Sequence, residues 1–172
     1  MAGSLIGRLL GCDDKGCLMG KGVYHWDGHP PRLGACLFRL FRETYKGDLE
    51  SMLQAIVDAH PAGWNDLEKQ DCYCHTRGAG AKGYELRDLE WATQMDCHWA
   101  YLFAFENGEP IMVVAHRMAR WSPAFLEPLE EWWEAVAIVP LNGDEPDWKD
   151  IELSGYRRYA DARHAVHDGS SS

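Results

Sequence analysis

Gly22-Val23-Tyr24-His25-Trp26-Asp27-Gly28-His29-Pro30 is where this chain changes from strand to helix, and its reading sets the fold around it. Val23 to Trp26 is β-branched and aromatic, the composition of a strand. Asp27-Gly28 is a turn pair, since both residues tolerate backbone angles that other side chains avoid. Pro30 and Pro31 follow, and a proline pre-sets the backbone for the first turn of a helix.

Working outward, Ser4 to Leu10 reads as a first strand and Gly11 to Gly16 as a turn. Cys17 to Trp26 then returns along the first strand as a hairpin. After the prolines, Leu33, Leu37, Leu40 and Phe41 fall at i, i+4, i+7 and i+8, one apolar stripe of a helix. Gly47 ends it, and Asp48 is placed to cap a second helix through His60, with Leu49, Met52, Leu53, Ile56 and Val57 as its stripe. Pro61 and Gly63 stop that helix.

From Trp64 to Gly83 periodicity is lost, and Gly78, Gly80 and Gly83 mark an exposed loop. Trp91 is expected to start a short strand. Trp99 to Phe105 and Ile111 to His116, joined by Asn107-Gly108, form the clearest hairpin, buried on much of both faces. Arg117 to Pro128 reads as irregular, Trp132 to Leu141 as a strand, and Ile151 to His167 as a helix that Gly155 interrupts near its start. The expected fold is α+β: one domain over 1–168, an antiparallel sheet built from hairpins against two or three helices. Residues 169–172, Gly-Ser-Ser-Ser, read as a disordered tail.

A chain of 172 residues is long enough for one substantial core. No apolar run approaches the roughly 20 residues needed to cross a bilayer, so no membrane is expected. No signal peptide is read at the start, and the expected compartment is cytoplasmic. With 27 acidic against 17 basic residues the net charge is −10, which argues against binding a nucleic-acid backbone. It fits solubility alone, or an acidic surface offered to a basic protein partner. The six cysteines are read as reduced thiols or metal ligands.

Four groups carry possible chemistry. His25 and Asp27 lie two apart on one side of an extended segment, with His29 beyond the turn, so a carboxylate could orient an imidazole for acid–base work. Asp27 is read first as the residue that holds the turn, and Asp27→Ala as a change that costs the fold about 1–3 kcal/mol. Cys72-Tyr73-Cys74-His75 and Cys97-His98 have the two-cluster layout of a zinc site, although Cys-x-Cys is not the usual knuckle. A cysteine nucleophile beside a histidine base is a third option. Tyr24, Trp26, Trp121, Trp132 and Trp133, with Pro123, Phe125 and Pro128 nearby, form a candidate recognition surface, since Trp is enriched where proteins bind. His116 and His60 are read as a core residue and a helix-end residue.

The Ser4-Leu5-Ile6-Gly7 strand followed by Val23-Tyr24-His25-Trp26-Asp27-Gly28-His29-Pro30 resembles a group of small phage and actinobacterial proteins. Their pattern is Tyr-x-His-Trp-Asp-Gly-Tyr-Pro, then Gly and a Leu-rich helix, which Gly34, Leu37 and Leu40 match. Trp99 to Phe103 and Glu145-Pro146-Asp147-Trp148 resemble later parts of the group. The chain departs from the pattern at Met1-Ala2-Gly3, where Thr-Arg is usual, and at His29, where Tyr is usual. The resemblance implies a phage or mobile-element setting and no particular reaction.

Together these features favour a cytoplasmic binding or modulator protein that acts on a protein partner through an acidic, Trp-rich surface. One alternative is a small enzyme acting on a nucleotide or other small molecule, with His25, Asp27 and His29 as acid–base groups. The other is a zinc-stabilised module.

Overall fold

The structure, a computed structural model, describes residues 2–76, 84–124 and 127–164. Gly78, Gly80, Gly83, Phe125, the helix end at 165–167 and the tail at 169–172 therefore lie outside the described residues.

The opening hairpin forms as its alternation requires. Strands β1 (Gly3–Cys12) and β2 (Leu18–His25) pair antiparallel, with Ser4 opposite His25 and Gly7 opposite Gly22. Asp13 holds the turn between them by accepting from the amides of Lys15 and Cys17, each at 2.9 Å.

Helix α1 covers 30–44 in three contiguous pieces, Pro30–Gly34, Ala35–Arg39 and Leu40–Thr44. Pro30 and Pro31 start it, and the carbonyl of His29 accepts from Arg32 and Leu33. Helix α2 covers 49–58, and the Asp48 carboxylate caps it through the amide and hydroxyl of Ser51 at 3.1 and 2.7 Å.

Short pieces follow: β3 (Trp64–Asp66), β4 (Asp71–Cys72), α3 (Tyr73–Thr76), β5 (Arg87–Asp88) and α4 (Leu89–Gln94). Trp91 is helical rather than the start of a strand. Asp88 caps α4 by accepting from the Trp91 amide at 2.9 Å, and six residues are too few to show a helical period. Strands β6 (Cys97–Glu106), β7 (Glu109–Trp121) and β8 (Pro128–Pro140) form a long meander. Arg117 to Trp121 thus continues β7 instead of turning irregular. Polar residues at a sheet end mask the alternation that identifies a strand. Helix α5 (Trp148–His164) closes the described chain.

The eight strands among the described residues join one sheet, ordered β4-β3-β2-β1-β6-β7-β8, with β5 also on β2. The sheet is mixed, not built from antiparallel hairpins alone. β1 runs parallel to β6, with Ile6 opposite Tyr101, and β2 meets β3 in parallel. The reason is topological: α1 and α2 intervene between β2 and the rest, and a crossover connection returns a strand parallel to its neighbour. Five helices are present among the described residues, more than the two or three expected.

Both faces of the centre are buried, so consecutive residues alternate between two cores. Ile6, Val23, Trp99, Tyr101, Phe103, Met112 and Val114 pack under α1, α2 and α5. Leu5, Ala100, Leu102, Ile111, Val113 and Ala115 pack on the other face with Leu89, Ala92 and Trp133. Each fully buried large aliphatic side chain contributes about 1.5–3 kcal/mol, which makes β1, β6 and β7 the stable centre. Gly155 is there because α5 lies directly on the Trp99 indole. A Cβ at 155 would overlap that ring, so the helix accepts a weak helix former to gain the approach.

Candidate functional site

The turn after β2 is fixed from beneath. The Ser4 hydroxyl donates to the His25 carbonyl at 3.3 Å, and the buried Tyr101 hydroxyl donates to the Gly28 carbonyl at 2.5 Å. His25 points into the protein: its Nε2 accepts the Leu67 amide at 3.1 Å, and burial lowers its pKa to about 4. It acts as a neutral structural acceptor, away from solvent. Asp27 adopts a left-handed backbone with φ 51°. Its carboxylate faces His29 Nε2 at 3.2 Å and Arg32 at 3.7 Å.

His29 is the hinge between this turn and α5. Its Nδ1 stands 3.2 Å from a Glu152 carboxylate oxygen and 3.3 Å from the Tyr156 hydroxyl. The ring of Tyr156 in turn borders a cleft of about 250 Å³ lined also by His98, His116, Arg117 and Tyr159. Three distant parts of the chain line it, the start of β6, the middle of β7 and one face of α5, and the turn reaches it through the contact between His29 and Tyr156.

His116 lies on β7 opposite Trp99, with its imidazole edge-on to that indole at 4.5 Å between centroids. Its Nδ1 is 2.6 Å from the Arg117 carbonyl, and a carbonyl only accepts. Nδ1 therefore carries the proton and Nε2 keeps a lone pair. Burial lowers the His116 pKa to about 4, so the ring is neutral at pH 7. Its Nε2 and the Nε of Arg117 are buried without a hydrogen-bond partner among the described residues.

His98 stands 6.1 Å from His116 between ring centroids. Its Nε2 is 3.3 Å from Asp96, and burial followed by the Arg117 charge lowers its pKa. Arg117 binds the same Asp96 carboxylate at 3.0 Å. Burial, then the Glu152 carboxylate, raises the Tyr156 pKa. Perturbed titratable groups gathered in one cleft are the usual physical mark of a functional site.

The other candidate residues are dispersed. Cys72, Cys74 and His75 stay together, but Cys97 is buried in the core of the opposite sheet face and His98 is in the cleft just described. Tyr24 and Trp26 line a separate aromatic cleft of about 310 Å³ with Pro61, Ala62, Tyr73, Tyr84, Arg87, Trp91 and Met95. Trp26 is 43% exposed there. Trp133 is buried and donates to the Leu89 carbonyl and the Thr93 hydroxyl. Trp132 borders an open groove beside Lys15, and Trp121 donates to the Tyr159 hydroxyl at 3.2 Å. These tryptophans do not share one surface.

Residue type alone does not single out Arg117, Glu152, Tyr156 or Tyr159, and His116, read as a core residue, is buried as expected but also lines the cleft. One signal was present: Glu152, Tyr156 and Tyr159 fall at i, i+4 and i+7, a polar stripe on one face of α5. No known protein family, curated protein or solved structure matches the chain. No helix among the described residues is long and apolar enough to cross a membrane.

Proposed function

We propose that this protein is a small acid–base enzyme whose substrate enters the His98–His116 cleft. The observation that carries the reading is the convergence of His98, His116, Arg117 and Tyr156 from three distant segments onto one cleft, with His29 joined to it through the Tyr156 hydroxyl. Two unlike environments adjoin there: His116 lines the cleft with a neutral ring whose Nε2 is unpartnered among the described residues, while His29 stands between the Asp27 and Glu152 carboxylates and the Tyr156 hydroxyl. Such an arrangement can remove a proton on one side and return one on the other. The Arg117 guanidinium in the cleft wall favours a substrate with acceptor oxygens, a phosphate or carboxylate, and a nucleotide is the leading class. Likeness of the Tyr24–Pro30 motif to phage and actinobacterial proteins supports a phage or mobile-element setting, in the cytoplasm.

The test is ligand-observed NMR with nucleoside monophosphates and sugar phosphates, followed by ³¹P detection of turnover. His98→Ala, at a half-exposed site, is expected to lower turnover by about 10²-fold or more at an unchanged melting temperature. Turnover equal to wild type in this variant would refute the assignment, as would failure of every such ligand to bind.

A second reading rests on the exposed Trp26, Tyr84 and Met95 around the aromatic cleft. It is the binding or modulator protein, engaging a basic segment of a protein partner that the net charge of −10 would attract. Trp26→Ala is then expected to weaken calorimetric binding of Arg- and Leu-rich peptides by about tenfold or more. Equal affinities in the two proteins would remove this reading.

A further inference from the structure

We propose that His60, Cys72, Cys74 and His75 form a zinc site that clamps the end of α2 to the β4–α3 corner. One donor atom from each of His60, Cys72 and Cys74 lies within 4.8 Å of the other two. The two thiols are almost fully buried, at 2% and 4% exposure. The His60 Nδ1 is buried without a hydrogen-bond partner among the described residues, an orphan that a metal bond would satisfy. His75 is the fourth donor: its Nδ1 is in contact with Cys72 Sγ at 2.6 Å, and its ring, which stands outside the three-donor group, must turn inward to complete the set.

Two sulfurs and two imidazole nitrogens are a tetrahedral zinc donor set, and soft thiolates select against magnesium or calcium. With Zn–S near 2.3 Å and Zn–N near 2.0 Å, neighbouring donors should stand about 3.5 Å apart. The Cys72–His75 contact must therefore open by roughly an ångström, and side-chain rotation can supply that. Binding would convert the two thiols to thiolates and release their two protons to solvent, with both imidazoles neutral as ligands.

The backbone already holds the two segments in place. The Tyr73 amide donates to the Gly63 carbonyl at 3.0 Å, and Trp64 pairs with Cys72 between β3 and β4. The Trp64 indole stacks near the His60 ring at 4.3 Å and donates to the Ile56 carbonyl. The clamp also has a consequence for the aromatic cleft. Pro61 and Ala62 follow one ligand directly, and Tyr73 lies between two others, so the ion would fix two walls of that cleft.

The test uses full-length protein purified without chelators and then reconstituted with zinc. Elemental analysis should find about one zinc per chain, and cobalt substitution should give the intense visible bands of a tetrahedral thiolate site. His60→Gln and Cys74→Ser should each cut the bound metal at least tenfold. As a readout independent of folding, cobalt bound to His75→Cys should keep tetrahedral bands with a stronger sulfur charge-transfer band. A wild-type metal ratio below about a tenth after reconstitution would overturn the proposal. So would full occupancy in His60→Gln, or a Cys72–Cys74 disulfide found by mass spectrometry in protein handled anaerobically.

Discussion

Between pH 7 and pH 5 the protein should lose about 4 kcal/mol of stability, from two buried imidazoles. His25 and His116 each have an ordinary pKa of 6.5 when unfolded and about 4 when folded, because burial disfavours the charged ring. A lowered histidine pKa means that the unfolded chain binds more protons across this window. Stability is therefore full above pH 6.5 and falls as the pH drops toward 4. Each ring accounts for about 2 kcal/mol by pH 5 and about 3 kcal/mol by pH 4. That is a large share of the 5–15 kcal/mol typical of a domain, so acid unfolding should begin near pH 5. Urea denaturation at half-unit pH steps measures it. His25→Gln keeps an acceptor for the Leu67 amide and should remove about half of the slope. A flat midpoint between pH 7 and pH 5 would show that these rings do not titrate as their burial requires.

Gly28→Ala should destabilise the protein strongly, because the added methyl has no room in the turn after β2. A Cβ at position 28 would fall on the side chain of Ser4, which is fully buried, and 2.9 Å from Leu33 Cδ2. Neither neighbour can retreat: Ser4 is held between β2 and β6, and Leu33 anchors the first turn of α1. Relief requires lifting the turn, which also breaks the bond from the Tyr101 hydroxyl to the Gly28 carbonyl. The expected cost is about 2–4 kcal/mol by chemical denaturation. Adding Ser4→Gly removes both overlapping atoms and should recover more than half of that loss, less about 1 kcal/mol for the lost hydroxyl bond. If Gly28→Ala were as stable as wild type, the close packing of this turn would be refuted.

The same turn shows which parts of the site local reasoning reaches. Asp27 beside His29 was visible as an acid next to an imidazole, and the structure places them 3.2 Å apart. Strand geometry groups His25 with them, yet its ring faces Leu67. The side of a strand from which a residue projects can be read from alternation. What covers that side depends on segments far along the chain, here the loop after β3. His60 and His116 read as a helix-end and a core residue for the same reason. A histidine at a helix end or within an apolar strand has no local sign of whether a thiol or a second imidazole will meet it.

Local periodicity and turn chemistry determined the β1–β2 hairpin, both early helices with the Asp48 cap, the β6–β7 hairpin and the course of α5. Each of these is set by contacts within a few residues, and such contacts leave a repeat of two or of 3.6 in the sequence. Only the tertiary structure decided that β1 lies parallel to β6, because strand order depends on which apolar edges can be buried together. That one pairing brings the start of β6, and His98 with it, beside the turn that follows β2. It also lays α5 across β7, so that Tyr156 bridges His29 and the His116 cleft. The turn residues were legible one by one; their partners were not, because side chains from four segments meet through the packing of the sheet and not through any spacing along the chain.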